Sequence, residues 1–328
     1  MLSFLLQRLL QALVALFAIS VLVFVMMYCV GDPVATLLPQ NASQKQRAEL
    51  RQALGLDRPL AVQYGRYLGR LLRGDLGHSY YSGQPVAVLL AERAPATLEL
   101  AAAALLLSVS LGVPLGMLAG ARPRNWLGRL AMGGSLFGIS IPTFWLGLML
   151  MMVFGVWLGW LPSNQRGATL HVFGADWSFL TLDGLRHLVL PAVTLGLYHM
   201  AMIMRLVRSE MAETLRRPFI RVCRARGLSE ASVIGRHALR NTLIPVVTVI
   251  GLQFGGLLAF SVVTEWIFQW PGLGNLLIHS IHADRPLVVA YLLLTGVVFL
   301  GLNFLVDLTY ALIDPRIRWS TPARESAQ

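Results

Sequence analysis

The sequence predicts an all-α polytopic membrane protein with six spanning helices. Three observations carry that expectation. Apolar residues gather into runs of about 20, the length a helix needs to cross a bilayer. The chain is 56% hydrophobic and 13% charged, far from the roughly one-quarter charged composition of a soluble domain. The polar stretches between the runs are too short to hold a separate catalytic domain. Helices follow because lipid cannot satisfy free backbone groups.

The first run, 9–30, exceeds the apolar core of a cleaved signal, about 7–15 residues, and ends in Gly31-Asp32-Pro33, so it reads as a retained span. A polar segment, 31–95, follows. Within it Gln44–Leu54 predicts a short helix. Tyr64, Leu68 and Leu71 recur at helical spacing, the pattern of an amphipathic helix on the membrane surface. The second span is 98–120. The third apolar region, 131–160, is longer than a straight span needs, and Pro142 is expected to kink or break it. Residues 161–187, rich in Gly, Asn and Asp, read as a loop. The remaining spans are 188–204, 244–268 and 287–313, with Pro191 near the start of the fourth. One membrane domain covers 1–328.

Between the fourth and fifth spans lies the longest polar interruption of the second half. It carries Arg205, Arg208, Arg216, Arg217, Arg221, Arg224, Arg226, Arg236 and Arg240 against Glu210, Glu213 and Glu230. The stretch predicts two short helices hinged at Gly227, a residue suited to a left-handed helix stop. Ser229 is placed to cap the second helix, with Glu230 in its first turn. Such a loop is either a docking surface for a soluble partner or a solvated signal that keeps the loop in the cytoplasm. Charge supports both readings; the helix–glycine–helix pattern favours docking.

Positive charge also sets the orientation. With both termini in the cytoplasm, the inner segments hold Arg8; Arg122, Arg124 and Arg129; the nine arginines of the basic loop; and Arg316, Arg318 and Arg324. Eight of the outer cations lie in the single long segment 31–95, where charge counts for less.

Several functions are excluded. The net charge of +11 is spread along the flanks of apolar spans and makes no single basic face, so nucleic acid is not expected. The one lysine, Lys45, sits in Gln-Lys-Gln without a phosphate-cradling loop, so any ATPase driving this chain is a separate polypeptide. Cys29 and Cys223 fall on opposite sides of the membrane and are not expected to pair. No HExxH, CxxC or GxSxG motif occurs. His279 and His282 near Asp284 lack further ligands, so no metal site or other cofactor is expected. Of the intramembrane polar groups, Glu265 and Asp307 lie near interfaces and read as anchors or a structural ion pair. His199 reads as a packed core histidine. The run Met149, Met151, Met152, Phe154, Trp157 and Trp160 is more simply interfacial or lipid-facing packing than a solute pathway. Trp160, Trp266 and Trp270 fit an aromatic belt.

The ordered segments LLQRLL, GDP, LGLDRPLAVQYGRYLGRLLRGDLGHS, ERAPATLEL, SIPTFWLGLML, VWLGWLP, RARGLSEASVIGRHALRNTLIPVVT, TEWIFQWPGLGNLL and DLTYALIDPRIR carry a resemblance over nearly the whole chain. The chain resembles the inner-membrane permease subunits of binding-protein-dependent ABC importers, in particular the B-type permease of the dipeptide/oligopeptide/nickel group. The resemblance implies a type I importer permease fold in the bacterial inner membrane. It also implies a working complex with a second, homologous permease, two cytoplasmic ATPase subunits and an extracytoplasmic solute-binding protein. The coupling loop would be 205–243, with Arg221, Arg224, Ala225, Gly227, Leu228, Ser229 and Glu230 against an ATPase. Of the family's Glu-Ala-Ala-(three residues)-Gly loop motif this chain keeps Gly227 but has Arg221, Val222 and Cys223 in the first three places. Short peptides are the expected solute. A nickel or metal-chelate importer of the same group is the alternative, and a stand-alone ion-coupled carrier the alternative of another class.

Overall fold

The computed structural model describes residues 2–29, 34, 38, 42–53, 55–281 and 284–313. The chain begins with α1 (Leu2–Cys29), α2 (Gln44–Ala53), α3 (Leu60–Leu72) and the long α4 (Val86–Ala121). Next come α5 (Trp126–Ser140) and α6 (Thr143–Leu150), the latter passing into a π-helical stretch, Met151–Trp157. A two-stranded hairpin, β1 (Leu170–Val172) and β2 (Ala175–Trp177), precedes α7 (Leu182–Thr214). The loop helices α8 (Pro218–Ala225) and α9 (Glu230–Ser232) lead through a π-helical stretch, Val233–Ala238, into α10 (Leu239–Ile267). The short α11 (Leu273–Ser280) and α12 (Arg285–Ile313) complete the described chain.

Among the described residues five helices are long and apolar enough to cross a membrane, or six if α5 and α6 are one bent span. The bend falls at Ile141-Pro142. Proline excludes the helical conformation from the residue before it and removes a donor, which ends α5 and restarts the chain as α6.

The bundle is organised on α4 and α7, which run parallel and nearly in register. Gly112, Gly116 and Gly120 form a ladder on α4 at every fourth residue. A Cβ at Gly116 would lie 2.5 Å from the carbonyl oxygen of Met204, and one at Gly120 would lie 2.6 Å from that of Arg208. Only glycine lets the two backbones approach so closely, the small-residue packing that holds helices together where lipid removes the hydrophobic drive. Higher up, Gly196 meets Ala104 in the same way, and the Ser108 hydroxyl donates to the Gly196 carbonyl at 2.8 Å. Helix α10 closes one side, with Val246 buried beside Ile203 and Val207. Helix α12 packs on α1, where Val23, Val289 and Leu293 form a satellite core.

Helix α3 is amphipathic, and its aromatic face lies against α1. The Tyr64 hydroxyl is 2.8 Å from the Ser20 hydroxyl, and the Tyr64 ring stacks edge-on to Phe17 and Phe24. Burial pushes the Tyr67 phenol up to about 12, so it stays neutral.

Three features differ from the sequence-based expectation. The region 161–187 is not irregular throughout: it holds the β1–β2 hairpin, whose turn residues Phe173 and Gly174 both have positive φ (52° and 76°). Phenylalanine is an unusual first residue for such a turn, so the usual Asn-Gly signal is absent. Helix α7 begins at Leu182 and runs on to Thr214, ten residues past the fourth apolar run, 188–204. The second loop helix is not a separate unit, because it continues into α10.

Candidate functional site

The basic loop is built from its apolar residues upward. Helix α7 ends at the buried Thr214. Arg217 is extended and Pro218 takes the first position of α8, where its missing N–H costs nothing. Ile220 on α8 and Val233 and Ala238 beyond the turn are fully buried around Met211. Partly buried Phe219, Ile234 and Leu239 complete this cluster, so the inner face of the loop is part of the bundle core.

The turn between the two helical arms has a defined geometry. Gly227 has φ +77°, with its N–H donating to the Arg224 carbonyl at 2.9 Å. The Leu228 N–H donates to the Cys223 carbonyl at 3.3 Å. This paired pattern around a left-handed glycine satisfies the last carbonyls of α8. The Ser229 side chain accepts from the Ser232 N–H at 3.4 Å, capping α9 as its spacing suggests. Across the turn, the Arg224 Nε donates to Glu230 Oε1 at 2.7 Å.

All seven residues named for this loop, Arg221, Arg224, Ala225, Gly227, Leu228, Ser229 and Glu230, are exposed. Their side chains lie on the outer face of the loop, opposite the buried cluster. Val222 and Leu228 stand 52% and 39% exposed among Arg221, Arg224 and Arg226. Such an exposed mixed apolar and basic patch is suited to contact with a partner.

The other end of the bundle is closed by buried polar anchors. Arg166 donates to Glu99 Oε2 through Nε at 3.0 Å and through Nη2 at 2.5 Å. Glu99 Oε1 accepts from the Ser178 hydroxyl at 2.7 Å and the Phe179 N–H at 2.5 Å. Arg166 also donates to the Asp176 carbonyl at 2.5 Å and lies over the Trp270 ring. One ion pair thus ties α4, the hairpin and the α10–α11 connection together.

Glu265 is an anchor, though not through an ion pair. Its Oε2 accepts from the N–H groups of Gly274 (2.7 Å) and Asn275 (3.1 Å), while Thr97 Oγ1 accepts from the Leu273 N–H at 2.8 Å. Together they cap the N-terminus of α11, where a carboxylate also meets a favourable helix dipole. The stretch TEWIFQWPGLGNLL is therefore a structural joint. Its tryptophan Trp270 is fully buried, donating to the Ala96 carbonyl at 2.8 Å, while Trp266 and Trp160 are exposed as an aromatic belt requires.

His199 is buried as expected but has a partner the sequence did not suggest: its Nδ1 lies 2.5 Å from Gln253 Oε1, joining α7 to α10. His279 contacts the Asn275 carbonyl at 2.8 Å. The Asp284 carboxylate accepts from the Ser79 hydroxyl and the Tyr80 N–H. His282 lies outside the described residues. Met149, Met151, Met152 and Phe154 are partly buried, whereas Trp157 and Trp160 are 69% and 67% exposed.

Sequence reasoning missed Glu99, Arg166 and the glycine ladder. The ladder is legible as GVPLGMLAG, a repeated small-xxx-small pattern. The ion pair is not, since Glu99 and Arg166 are far apart in the chain.

A bundle of long apolar helices with an exposed basic loop defines the class: a polytopic membrane permease with the type I importer fold. Comparison then assigns the family. Residues 112–319 match the model of the binding-protein-dependent transport system inner membrane component, and residues 1–101 match the N-terminal model of the same membrane components. The chain belongs to this family.

It is 41% identical over 333 residues to the di/tripeptide transport system permease protein DppB of Pseudomonas aeruginosa, covering 97% of this chain and 99% of that protein. It is 37% identical to the dipeptide transport system permease protein DppB of Alkalihalophilus pseudofirmus, covering 97% and 100%. It is 40% identical to the glutathione transport system permease protein GsiC of Salmonella paratyphi A, again over 97% and 100%. In fold it is similar to a chain of the inward-facing MetNI methionine ABC transporter, with a TM-score of 0.54 at 17% identity, covering 70% of this chain and 97% of that one.

Proposed function

We propose that this chain is one of two homologous permeases in an ATP-driven importer of short peptides in the bacterial inner membrane. Both termini lie in the cytoplasm, the segment 31–95 lies outside and the loop 205–243 inside. The partners are two ATPase subunits on the cytoplasmic face and an extracytoplasmic binding protein that delivers the solute. The peptide assignment is supported by the names of the relatives above, which concern di- and tripeptides and glutathione, itself a tripeptide.

The observation that carries the reading is the exposed turn around Gly227 on a loop whose inner face is rigidly packed. A tight turn over 215–217 joins α7 to α8 at one end, and the arm beyond Gly227 runs into α10 at the other. Force on Arg221, Arg224, Ala225, Leu228, Ser229 or Glu230 therefore passes to two membrane helices without a flexible linker. Closure of the ATPase pair would move these helices as rigid bodies between inward- and outward-open arrangements. ATP does work on the permease only through contacts that differ between those two states.

The deciding experiment reconstitutes the complex in vesicles with its binding protein. ATP-dependent uptake of dialanine, absent when the ATPase is omitted, is the expected result. Uphill accumulation by the permease alone would overturn the reading, as would transport of nickel without peptide.

A further inference from the structure

Helix α4 is 36 residues long, about 54 Å at 1.5 Å per residue, against a hydrocarbon core of about 30 Å. Its apolar run begins at 98, so its first turns, 86–95, stand in the aqueous compartment on the outer side. There they face the β1–β2 hairpin across a cleft, and Pro271 of the α10–α11 connection completes the wall. The room inside is about 500 Å³, the size that small ligands occupy.

The wall carries charge of both signs from separate elements. Glu92 and Arg93 come from α4, His171 and Asp176 from the hairpin, and the buried Arg166 from the segment before it. Arg166 fixes the two sides relative to one another, because it binds the Glu99 carboxylate of α4 and the Asp176 carbonyl of the hairpin. His171 Nδ1 lies 2.8 Å from Asp176 Oδ1, which leaves Oδ2 to a further donor. The Arg93 guanidinium is exposed and meets no acceptor among the described residues. Between the charges the lining is small: Ala91, Gly167, Gly174 and Ala175.

A simple anion or cation would match one sign of this wall and be repelled by the other. No group of three His, Cys, Asp or Glu side chains among the described residues is placed to hold a metal ion. A zwitterion matches both signs at once, and the small lining leaves room for varied side chains between its ends. We propose that the cleft is a receiving site for a short peptide on the permease itself. Arg93 binds the terminal carboxylate, which fits its fork of donors, and Asp176, held by His171, binds the terminal ammonium. The inference rests on the reading of this chain as a peptide permease and adds a solute contact outside the membrane.

The test is equilibrium dialysis of radiolabelled dialanine against the purified permease–ATPase complex with no binding protein present. Saturable binding of one peptide per copy of this chain is expected, weakened at least tenfold in Arg93→Gln and in Asp176→Asn. Both side chains are exposed, so neither change threatens the fold. Analogues assign the ends. Dialaninamide, which lacks the carboxylate, should bind the parent weakly and lose nothing further in Arg93→Gln. N-acetyldialanine, which lacks the ammonium, should behave in the same way with Asp176→Asn. Parental affinity in either variant overturns the proposal. So does a loss confined to association with the binding protein, which would make the cleft a protein-docking surface. Uptake by the parent in vesicles separates this site from the reading beneath it. If the parent transports dialanine but shows no saturable binding, the cleft site falls and the peptide permease stands; if it transports none, the permease reading itself falls.

Discussion

Arg166 and Glu99 meet at 2.5 Å with side chains only 9% and 1% exposed, in a polar joint that fastens α4 to the hairpin and to Trp270. Glu99 spends its second oxygen on Ser178 and Phe179, so both carboxylate oxygens are hydrogen-bonded and the charge is balanced.

Removing one partner should therefore cost more than removing both. Glu99→Gln leaves a buried guanidinium without a counter-charge, a loss of about 3–5 kcal/mol. The double variant Glu99→Gln with Arg166→Met should recover part of that loss. Thermal unfolding of the purified protein checks this; an additive double-mutant cycle would show that the pair is not coupled.

The glycine ladder predicts a graded steric series. Gly116→Ala puts a methyl group against the Met204 carbonyl and the Val207 side chain, and Gly116→Val adds more bulk. Overpacking of this kind costs about 1–3 kcal/mol. Gly133 on α5 has nothing within 4 Å of an added Cβ, so Gly133→Ala should be neutral or stabilising by about 0.5–1 kcal/mol. Melting temperatures of the three variants give the order directly.

Gly227 separates backbone conformation from contact. Nothing lies within 4 Å of a Cβ added there, so substitution strains only the left-handed backbone at φ +77°. Asparagine tolerates that region and should retain coupling; valine should not. The expected result for Gly227→Val is ATP hydrolysis that continues while uptake in proteoliposomes falls at least tenfold. Normal uptake by the valine variant would remove Gly227 from the coupling role.

The Arg224–Glu230 pair is about half exposed, and pairs of that kind are worth less than about 1 kcal/mol. Arg224→Ala should leave the melting temperature unchanged. If Arg224 meets the ATPase, the same variant weakens association of the subunits at low salt, and the difference from the parent shrinks as salt screens the contact. Subunit retention during size-exclusion chromatography at low and high ionic strength measures this.

The elements that were legible in the sequence are those governed by local rules. Pro142 announced the break between α5 and α6, because a proline acts on its own and the preceding residue. Gly227 and Ser229 announced the turn and cap for the same reason. The β1–β2 hairpin escaped because Phe173 occupies a position where Asn or Asp is the readable signal. Gln253 beside His199, and Thr97 beside the N-terminus of α11, escaped because neither pairing has any sequence period to betray it.

Hydropathy, charge placement and punctuation by proline and glycine were enough to determine the membrane class, the order of the helices and the exposed basic loop. These depend on the chain's interaction with water and lipid, which each segment meets alone. Only the tertiary structure decided that Glu99 belongs to Arg166, that Glu265 caps α11, and that the loop's second arm is one with α10. The first joins residues far apart in the chain, and the other two depend on how neighbouring segments fold back on or run into one another, which packing decides and no local residue pattern announces.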